Sequence, residues 1–134
     1  MNYQEIRVNN KLIIAMDFDG TLTQNAIIDG VLTPRPEIID FTKKMYNEGN
    51  CIIIWTCRYL EEDIKSMKKF LKRNDVRYHY INENVEGLPF HTSNKIFYDV
   101  LYDDRAGNVH DLFKILTQLD FNEDANKLKK VLSE

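Results

Sequence analysis

The chain of 134 residues has only two cysteines, Cys51 and Cys57. Two cysteines are too few for the disulfide framework of a small secreted domain, and no segment with the pattern of a signal peptide opens the chain. The longest apolar runs have five residues, whereas a membrane-spanning helix needs about 20. We therefore expect a cytoplasmic protein without a membrane partner.

Neither sign of charge is in large excess, since 18 basic residues stand against 21 acidic ones and the net charge is −3. Such a chain has no general attraction for nucleic acid, which is expected as a partner only if it is the substrate. With only three prolines and 43% hydrophobic residues, the composition is that of an ordinary globular protein. The length predicts a single domain over residues 1–134, with a core at about 11–119 and a C-terminal helical tail at 120–134.

Short apolar segments predict strands, and the amphipathic segments between them predict helices. The predicted strands are Leu12 to Met16, Cys51 to Trp55, Arg77 to Ile81 and Ile96 to Tyr102. The first predicted helix has its apolar pattern from Ile38 to Tyr46, with Pro34 and Pro36 before this pattern and Gly49 as its stop. The others run from Leu60 to Leu71, from Leu112 to Leu119 and through the tail after Asn122. This alternation predicts an α/β fold, a doubly wound, mostly parallel sheet with helices on both faces.

Polar side chains follow three of the predicted strands. Asp17 and Asp19 follow the first, Thr56 follows the second, and Asp103 and Asp104 follow the fourth. Parallel strands have their carboxyl ends at one edge of the sheet, where ligands bind. The two-residue period of an extended chain places Asp17 and Asp19 on the same side. We therefore expect four carboxylates to converge at this edge.

Carboxylates that lie so close together raise one another's pKa unless a cation lies among them. A few carboxylates, waters and a substrate phosphate form the usual shell of Mg²⁺, whereas Ca²⁺ takes more protein oxygens. Zinc is not expected, because His79, His91 and His110 lack ligand spacing with either cysteine. The expected cofactor is therefore Mg²⁺.

Four motifs in order along the chain indicate a family. The segment Asp17-Phe18-Asp19-Gly20-Thr21-Leu22-Thr23, after an apolar strand, resembles motif I of the haloacid dehalogenase (HAD) superfamily. Thr56 resembles its motif II, Lys95 its motif III, and Asp103-Asp104 its motif IV. The resemblance covers about residues 11–106 and implies a Rossmann-like core and phosphoryl transfer through an aspartyl-phosphate intermediate.

The resemblance implies a role for each catalytic residue. Asp17 would attack phosphorus. Asp19 would protonate the leaving oxygen and then take a proton from the water that hydrolyses the intermediate. Thr56 would donate a hydrogen bond to a phosphoryl oxygen, and Lys95 would supply fixed positive charge.

The metal ligands are also implied by the resemblance. Mg²⁺ would lie between the Asp17 carboxylate, the backbone carbonyl of Asp19 and an acid of motif IV, which we expect to be Asp103. Asp104 is either a further ligand or a partner that orients the first.

Cys57 and Arg58 follow Thr56 directly, and two roles are open for Arg58. Arg58 either binds an anionic group of the substrate or pairs with a nearby aspartate. No phosphate-cradling loop separates Cys57 from Arg58, as a thiol-dependent phosphatase would require, so both cysteines are expected to be small core residues. A solvated helix face is expected for Lys65, Lys68, Lys69, Lys72 and Arg73.

The intervals between the motifs are too short for a cap domain. Only 36 residues separate Asp19 from Thr56, and 38 separate Thr56 from Lys95. A small hairpin flap at Gln24 to Thr33, with Asp29-Gly30 as its turn, is expected instead. The flap, the 82–94 loop, a neighbouring subunit of a homo-oligomer or a large substrate would then have to cover the site.

The sequence thus predicts a Mg²⁺-dependent phosphohydrolase, a phosphomonoester phosphatase that acts on a phosphorylated small molecule or macromolecule. The alternatives are a phosphotransferase of the same superfamily and a non-catalytic domain that recognises phosphate. The presence of both motif I aspartates speaks against the non-catalytic domain. Hydrolysis and transfer share their first half-reaction, so the sequence does not separate them.

Overall fold

A four-stranded parallel sheet forms around the two strongest apolar segments of the sequence. Its strands are β1 (Ile13–Asp17), β2 (Cys51–Trp55), β3 (Tyr80–Ile81) and β4 (Val100–Tyr102), in the order β3-β2-β1-β4. The first four residues of both β1 and β2 are buried. Central parallel strands need apolar side chains on both faces, which explains the uninterrupted apolar runs. The predicted α/β fold is confirmed.

The computed structural model describes residues 1–25, 30–104, 126–127 and 129–130. The chain divides into two compact units, Met1–Asp104 and Arg105–Glu134. The first unit contains the whole sheet. In the second unit, residues 126–127 and 129–130 are helical, whereas the predicted helix from Leu112 to Leu119 lies outside the described residues.

The described residues of the first unit form three α-helices beside the sheet: α1 (Tyr3–Val8), α2 (Pro36–Asn47) and α3 (Glu61–Arg73). The sequence predicts α2 and α3 with small shifts at their ends. Helix α1 was not predicted, because its six residues bury only Ile6 and give no periodic apolar pattern. The available signal was the pair Asn2 and Glu5, since an asparagine before a glutamate three residues later is typical of a helix start. The Asn2 side chain accepts a hydrogen bond from the Glu5 backbone N–H at 2.9 Å.

Successive residues of β1 and β2 face opposite sides of the sheet and form two apolar clusters. On one side, Ile14 and Ile52 pack with buried residues of α2 and α3, among them Ile39, Met67 and Phe70. On the other side the apolar cluster contains Ile6, Ile13, Ala15, Cys51, Ile53, Val85 and Ile96. Helices therefore contribute to the cover of both faces, but a non-helical segment supplies much of the second.

The two cysteines have different environments. Cys51 lies in the core, as predicted, and burial raises the pKa of its thiol to about 11. Cys57 is exposed, so its prediction as a core residue was wrong. It follows the end of β2, where the chain leaves the sheet and is no longer covered on both faces. Among the described residues, no helix combines the length and apolar character that crossing a membrane requires.

The two outer strands are shorter than predicted, and a side chain replaces one backbone acceptor just before each of them begins. The Ile52 N–H donates to Nδ1 of His79 at 3.0 Å, so regular pairing of β3 starts only at Tyr80. The Ile13 N–H donates to the Asp99 carboxylate at 2.7 Å, so regular pairing of β4 starts at Val100. The side chain of the residue just before each outer strand thus binds the backbone of a central strand.

Asp99 is expected to stabilise the attachment of β4. Its carboxylate also accepts hydrogen bonds from both terminal nitrogens of Arg7, at 2.7 and 2.8 Å, and this contact holds the pKa of Asp99 below its usual value. An Asp99→Ala variant should lower the free energy of unfolding at pH 7 by about 1–3 kcal/mol, because the Ile13 N–H loses its partner. A urea titration measures the change.

The contact between Asp99 and Arg7 also makes the stabilising effect of Asp99 depend on pH. Because the folded pKa of Asp99 is depressed, its contribution is present above the unfolded value of about 3.9 and is lost as the pH falls through the folded value. The deficit of Asp99→Ala should therefore shrink on acidification. An Arg7→Met control should show a smaller loss at pH 7, since it keeps the bond to Ile13. A deficit for Asp99→Ala that stayed constant with pH would contradict this account.

Candidate functional site

The pairing register of the sheet brings the predicted acidic residues to one edge. Met16 on β1 is level with Tyr102 on β4, so Asp17 and Asp103 are the next residues on adjacent strands. On the other side, Asp17 is level with Trp55, the last residue of β2, and Thr56 follows it. Adjacent strands lie about 4.8 Å apart, so this register alone places the Asp17 and Asp103 backbones side by side.

Three carboxylates converge at this edge. Asp17, Asp103 and Asp104 each offer an oxygen atom, and these atoms all lie within 4.8 Å of one another. Asp17 and Asp103 are half-buried, whereas Asp104 is exposed. Oxygen donors at such distances are suited to a small divalent cation. Mg²⁺ typically binds a few carboxylates and fills its remaining coordination positions with water or substrate phosphate. The donor set therefore fits the expected cofactor.

A wide turn over Phe18–Leu22 follows β1 and is closed by a hydrogen bond from the Thr23 N–H to the Phe18 carbonyl at 3.2 Å. Gly20 within it has a φ of +84°, a left-handed conformation that favours glycine. A Cβ atom at this position would lie 2.5 Å from Oδ2 of Asp104. Glycine at position 20 thus allows the turn to pass close to the Asp104 carboxylate.

Thr21 joins the two sides of the carboxylate cluster. Its buried hydroxyl donates to Oδ2 of Asp17 at 3.0 Å and accepts a hydrogen bond from the Asp104 backbone N–H at 2.9 Å. A single hydroxyl therefore fixes the orientation of Asp17 and the position of Asp104. Sequence reasoning gave this residue no role of its own, although its place four residues after Asp17 in the same motif was the available signal.

The pKa of Asp17 is raised to about 7, from an ordinary value near 4. Burial is the largest cause, followed by the hydrogen bond with the Asp104 side chain and the negative charge of Asp103, while the Thr21 hydroxyl acts in the opposite direction. A hydrogen bond between two carboxyl groups requires a shared proton. A bound cation would replace that proton and leave the carboxylates ionised.

Asp19 is held apart from this cluster by an arginine. Nε of Arg58 donates to Oδ2 of Asp19 at 2.9 Å, and Nη2 donates to Oδ1 at 2.7 Å. Of the alternatives for Arg58, the structure shows the pair with a nearby aspartate. Three carboxylates thus come together rather than the expected four, and any metal contact of Asp19 would involve its backbone carbonyl.

Thr56 is held in place by its neighbours. Its backbone N–H donates to Oδ1 of Asn82 at 2.8 Å, and Nδ2 of Asn82 donates back to the Thr56 carbonyl at 2.8 Å. The Thr56 hydroxyl accepts a hydrogen bond from the Arg58 N–H at 3.1 Å, which leaves its own proton free to be donated. Sequence reasoning missed Asn82, whose signals are its place after the third strand and a side chain that tolerates its φ of +53°.

Lys95 is not brought into the carboxylate cluster. Its side chain is exposed and makes no ion pair with any residue that the structure describes. Its backbone N–H donates to the Ser93 hydroxyl at 3.4 Å, within an irregular segment before β4. A role for Lys95 in binding phosphate stays a prediction.

The expected flap has a paired base. The Gln24 N–H donates to the Thr33 carbonyl at 2.8 Å, and the Arg35 N–H donates to the Leu22 carbonyl at 3.0 Å. Antiparallel pairing between the two ends of the segment is therefore confirmed. Of the expected turn, Asp29 lies outside the described residues, whereas Gly30 has a φ of +59°.

The raised pKa of Asp17 predicts how pH and Mg²⁺ change the stability of the protein. Because the folded pKa exceeds the unfolded value of about 3.9, the metal-free protein should lose stability as the pH rises from about 4 through 7. Added Mg²⁺ should offset this loss most strongly above pH 7, where no proton competes for the carboxylates. Urea titrations at pH 5 and pH 8, with and without Mg²⁺, measure both effects.

Two variants provide the matched comparison. Asp17→Asn should be more stable than the wild type at pH 8 without Mg²⁺ and should gain less from the ion. Asp40→Asn, the same change at an exposed residue of α2, should respond to Mg²⁺ as the wild type does. Equal stabilisation of all three proteins by Mg²⁺ would contradict binding at Asp17.

Comparison with known proteins adds information on the fold. No known family matches the sequence, and a search of curated proteins finds no match. Among solved structures, the chain is similar to a conserved protein coded by a locus from Bacteroides thetaiotaomicron, with a TM-score of 0.61 and 22% sequence identity. The similarity covers 72% of this chain and 78% of that chain. It supports an α/β fold of Rossmann-like type.

Proposed function

We propose that the protein is a Mg²⁺-dependent phosphohydrolase of the HAD superfamily that acts through an aspartyl-phosphate on Asp17. The observation that carries this proposal is the convergence of oxygen atoms from Asp17, Asp103 and Asp104 within 4.8 Å at the carboxyl edge of a parallel sheet. The motif I resemblance adds a second carboxylate, that of Asp19, close in sequence but held separately by Arg58.

Asp17 suits the role of nucleophile. It lies at the end of a central strand, and the hydrogen bond to Oδ2 from Thr21 limits the directions in which the other oxygen can point. In the first half-reaction, this oxygen would form a bond to phosphorus while the bond to the leaving oxygen breaks. Fixing the nucleophile in advance lowers the entropic cost of the attack.

Asp17, Asp103 and Asp104 would hold Mg²⁺. The bound ion would supply positive charge that offsets repulsion between the carboxylates and an incoming phosphate. Thr56, next to Asp17 across the β1–β2 pairing, would donate its hydroxyl proton to a phosphoryl oxygen. We propose that Lys95 adds positive charge in the complex with substrate.

Asp19 would transfer protons in both half-reactions. It would give a proton to the leaving oxygen and later accept one from the water that attacks the phosphorus of the intermediate. Its separation from the three-carboxylate cluster supports this division, because a metal-bound carboxylate would be a poor proton carrier. Cover of the site would come from the flap, the 82–94 loop or the substrate itself, since the described segments between the motifs are short.

A panel of phosphomonoesters tests the proposed function. Phosphate release should depend on Mg²⁺, stop with EDTA, and fall by about 10³-fold or more in Asp17→Asn, which lacks the nucleophile. Asp19→Asn should lose about 10²- to 10⁴-fold, and more on substrates whose leaving oxygen needs a proton. The exposed variant Asp40→Asn should keep wild-type activity.

The same panel distinguishes hydrolysis from phosphotransfer and from phosphate binding without turnover. Transfer of phosphate to an added acceptor alcohol in place of water would identify a phosphotransferase. Binding of phosphorylated compounds without turnover in the presence of Mg²⁺ would identify a domain that only recognises phosphate. Release of phosphate at an undiminished rate by Asp17→Asn would remove Asp17 as the nucleophile and the proposed mechanism with it.

A further inference from the structure

Arg58 is a charged residue in an interior position. Its side chain is only 3% exposed, a degree of burial that arginine reaches almost only when it is paired. Besides the two hydrogen bonds to Asp19, Nη1 donates to the Asp63 carbonyl at 3.0 Å in the first turn of α3. The guanidinium carbon lies 5.0 Å from the centre of the Phe18 ring. A guanidinium with this set of contacts has no room to turn toward a substrate.

The contacts of Arg58 tie it to the rigid part of the fold. Phe18 is fully buried and packs edge-to-face against Phe70 of α3, with ring centres 5.4 Å apart. The Arg58 backbone N–H bonds the Thr56 hydroxyl. The core and α3 therefore set the plane of the guanidinium, and its planar pair of donors sets the orientation of the Asp19 carboxylate.

This orientation favours one of the two tasks expected of Asp19. A carboxylate has about four lone-pair positions, and the guanidinium occupies one on each oxygen of Asp19, so each oxygen keeps a position that can accept a hydrogen bond from water. Held in this way, Asp19 can accept a proton from a water molecule while it keeps both hydrogen bonds with Arg58. The observed geometry thus corresponds to the second half-reaction, in which water attacks the phosphoenzyme.

We propose that Arg58 is a positioning residue that presents Asp19 as the proton acceptor for hydrolysis of the aspartyl-phosphate; this inference rests on the proposed function. In that step the water oxygen forms a bond to phosphorus, and the bond between phosphorus and the Asp17 oxygen breaks. The electron pair returns to the Asp17 carboxylate, and the water proton goes to Asp19. Formation of the phosphoenzyme from a substrate whose leaving group departs as a stable anion does not require Arg58.

Burst kinetics with p-nitrophenyl phosphate and Mg²⁺ separate the two half-reactions, because p-nitrophenolate leaves without a proton. The fast release of p-nitrophenolate reports phosphoenzyme formation, and the slower steady release reports its hydrolysis. In Arg58→Met, which keeps an unbranched apolar stem but has no donors, the burst should stay within a few-fold of the wild type. Hydrolysis of the phosphoenzyme should slow by about 10- to 100-fold, as expected for a misplaced catalytic group.

The burst amplitude also counts the folded, competent sites, so a loss of folded protein does not imitate the expected result. Asp19→Asn should show the same pattern with a larger loss, and adding Arg58→Met to it should slow hydrolysis little further, because Arg58 acts through Asp19. Arg58→Lys, which offers one ammonium in place of the planar pair, should lie between Arg58→Met and the wild type. It also serves as the test variant if Arg58→Met does not fold.

Three results would overturn the inference. Unchanged hydrolysis of the phosphoenzyme in Arg58→Met and Arg58→Lys, in an active wild-type background, would remove Arg58 from the reaction while keeping the proposed function. Equal slowing of the burst and of hydrolysis would assign Arg58 a structural role alone. Absence of both phosphate release and phosphoenzyme in the wild type, on this substrate and across the phosphomonoester panel, would reject the proposed function and this inference together.

Discussion

The parallel pairing of β1 with β4 is the constraint on which the candidate site depends. It places residues far apart in sequence, Asp17 and Asp103, next to each other at the end of adjacent strands. A shift of this pairing by one residue would turn Asp103, which follows β4, to the other face of the sheet and disrupt the cluster. The contact of Asp99 with the Ile13 N–H, at the opposite end of the same strand pair, is therefore part of how the site is positioned.

Bringing negative charges together works against folding, and the fold compensates with local donors. The Thr21 hydroxyl contacts the Asp17 side chain and the Asp104 backbone, while Arg58 neutralises Asp19 a short distance away. No basic side chain among the described residues forms an ion pair with Asp17 within 4 Å. The charge on Asp17 is thus left for a proton or a metal ion to balance. A raised carboxylate pKa of this kind is typical of sites that bind a ligand.

The sequence predicted the sheet and its edge well, because unbroken apolar runs and strand-end aspartates are local signals. It did not predict side-chain contacts between residues that are far apart in the sequence. The pairing of Arg58 with Asp19 joins the ends of two different strands, and the bond between Ile52 and His79 shortens β3 in a way that no local pattern encodes. Helix α1 escaped detection because tertiary packing of one residue stabilises it rather than a periodic apolar face.

The close approach of Gly20 to Asp104 links two positions in the evolution of the chain. Any L side chain at position 20 would start 2.5 Å from Oδ2 of Asp104 and would have to adopt a φ of +84°. As long as the Asp104 carboxylate stays in this position, glycine is the residue that fits at position 20 without a steric clash. We expect the two to vary together, so that among homologues the replacement of this glycine marks lineages in which the acid after the fourth strand has left the cluster.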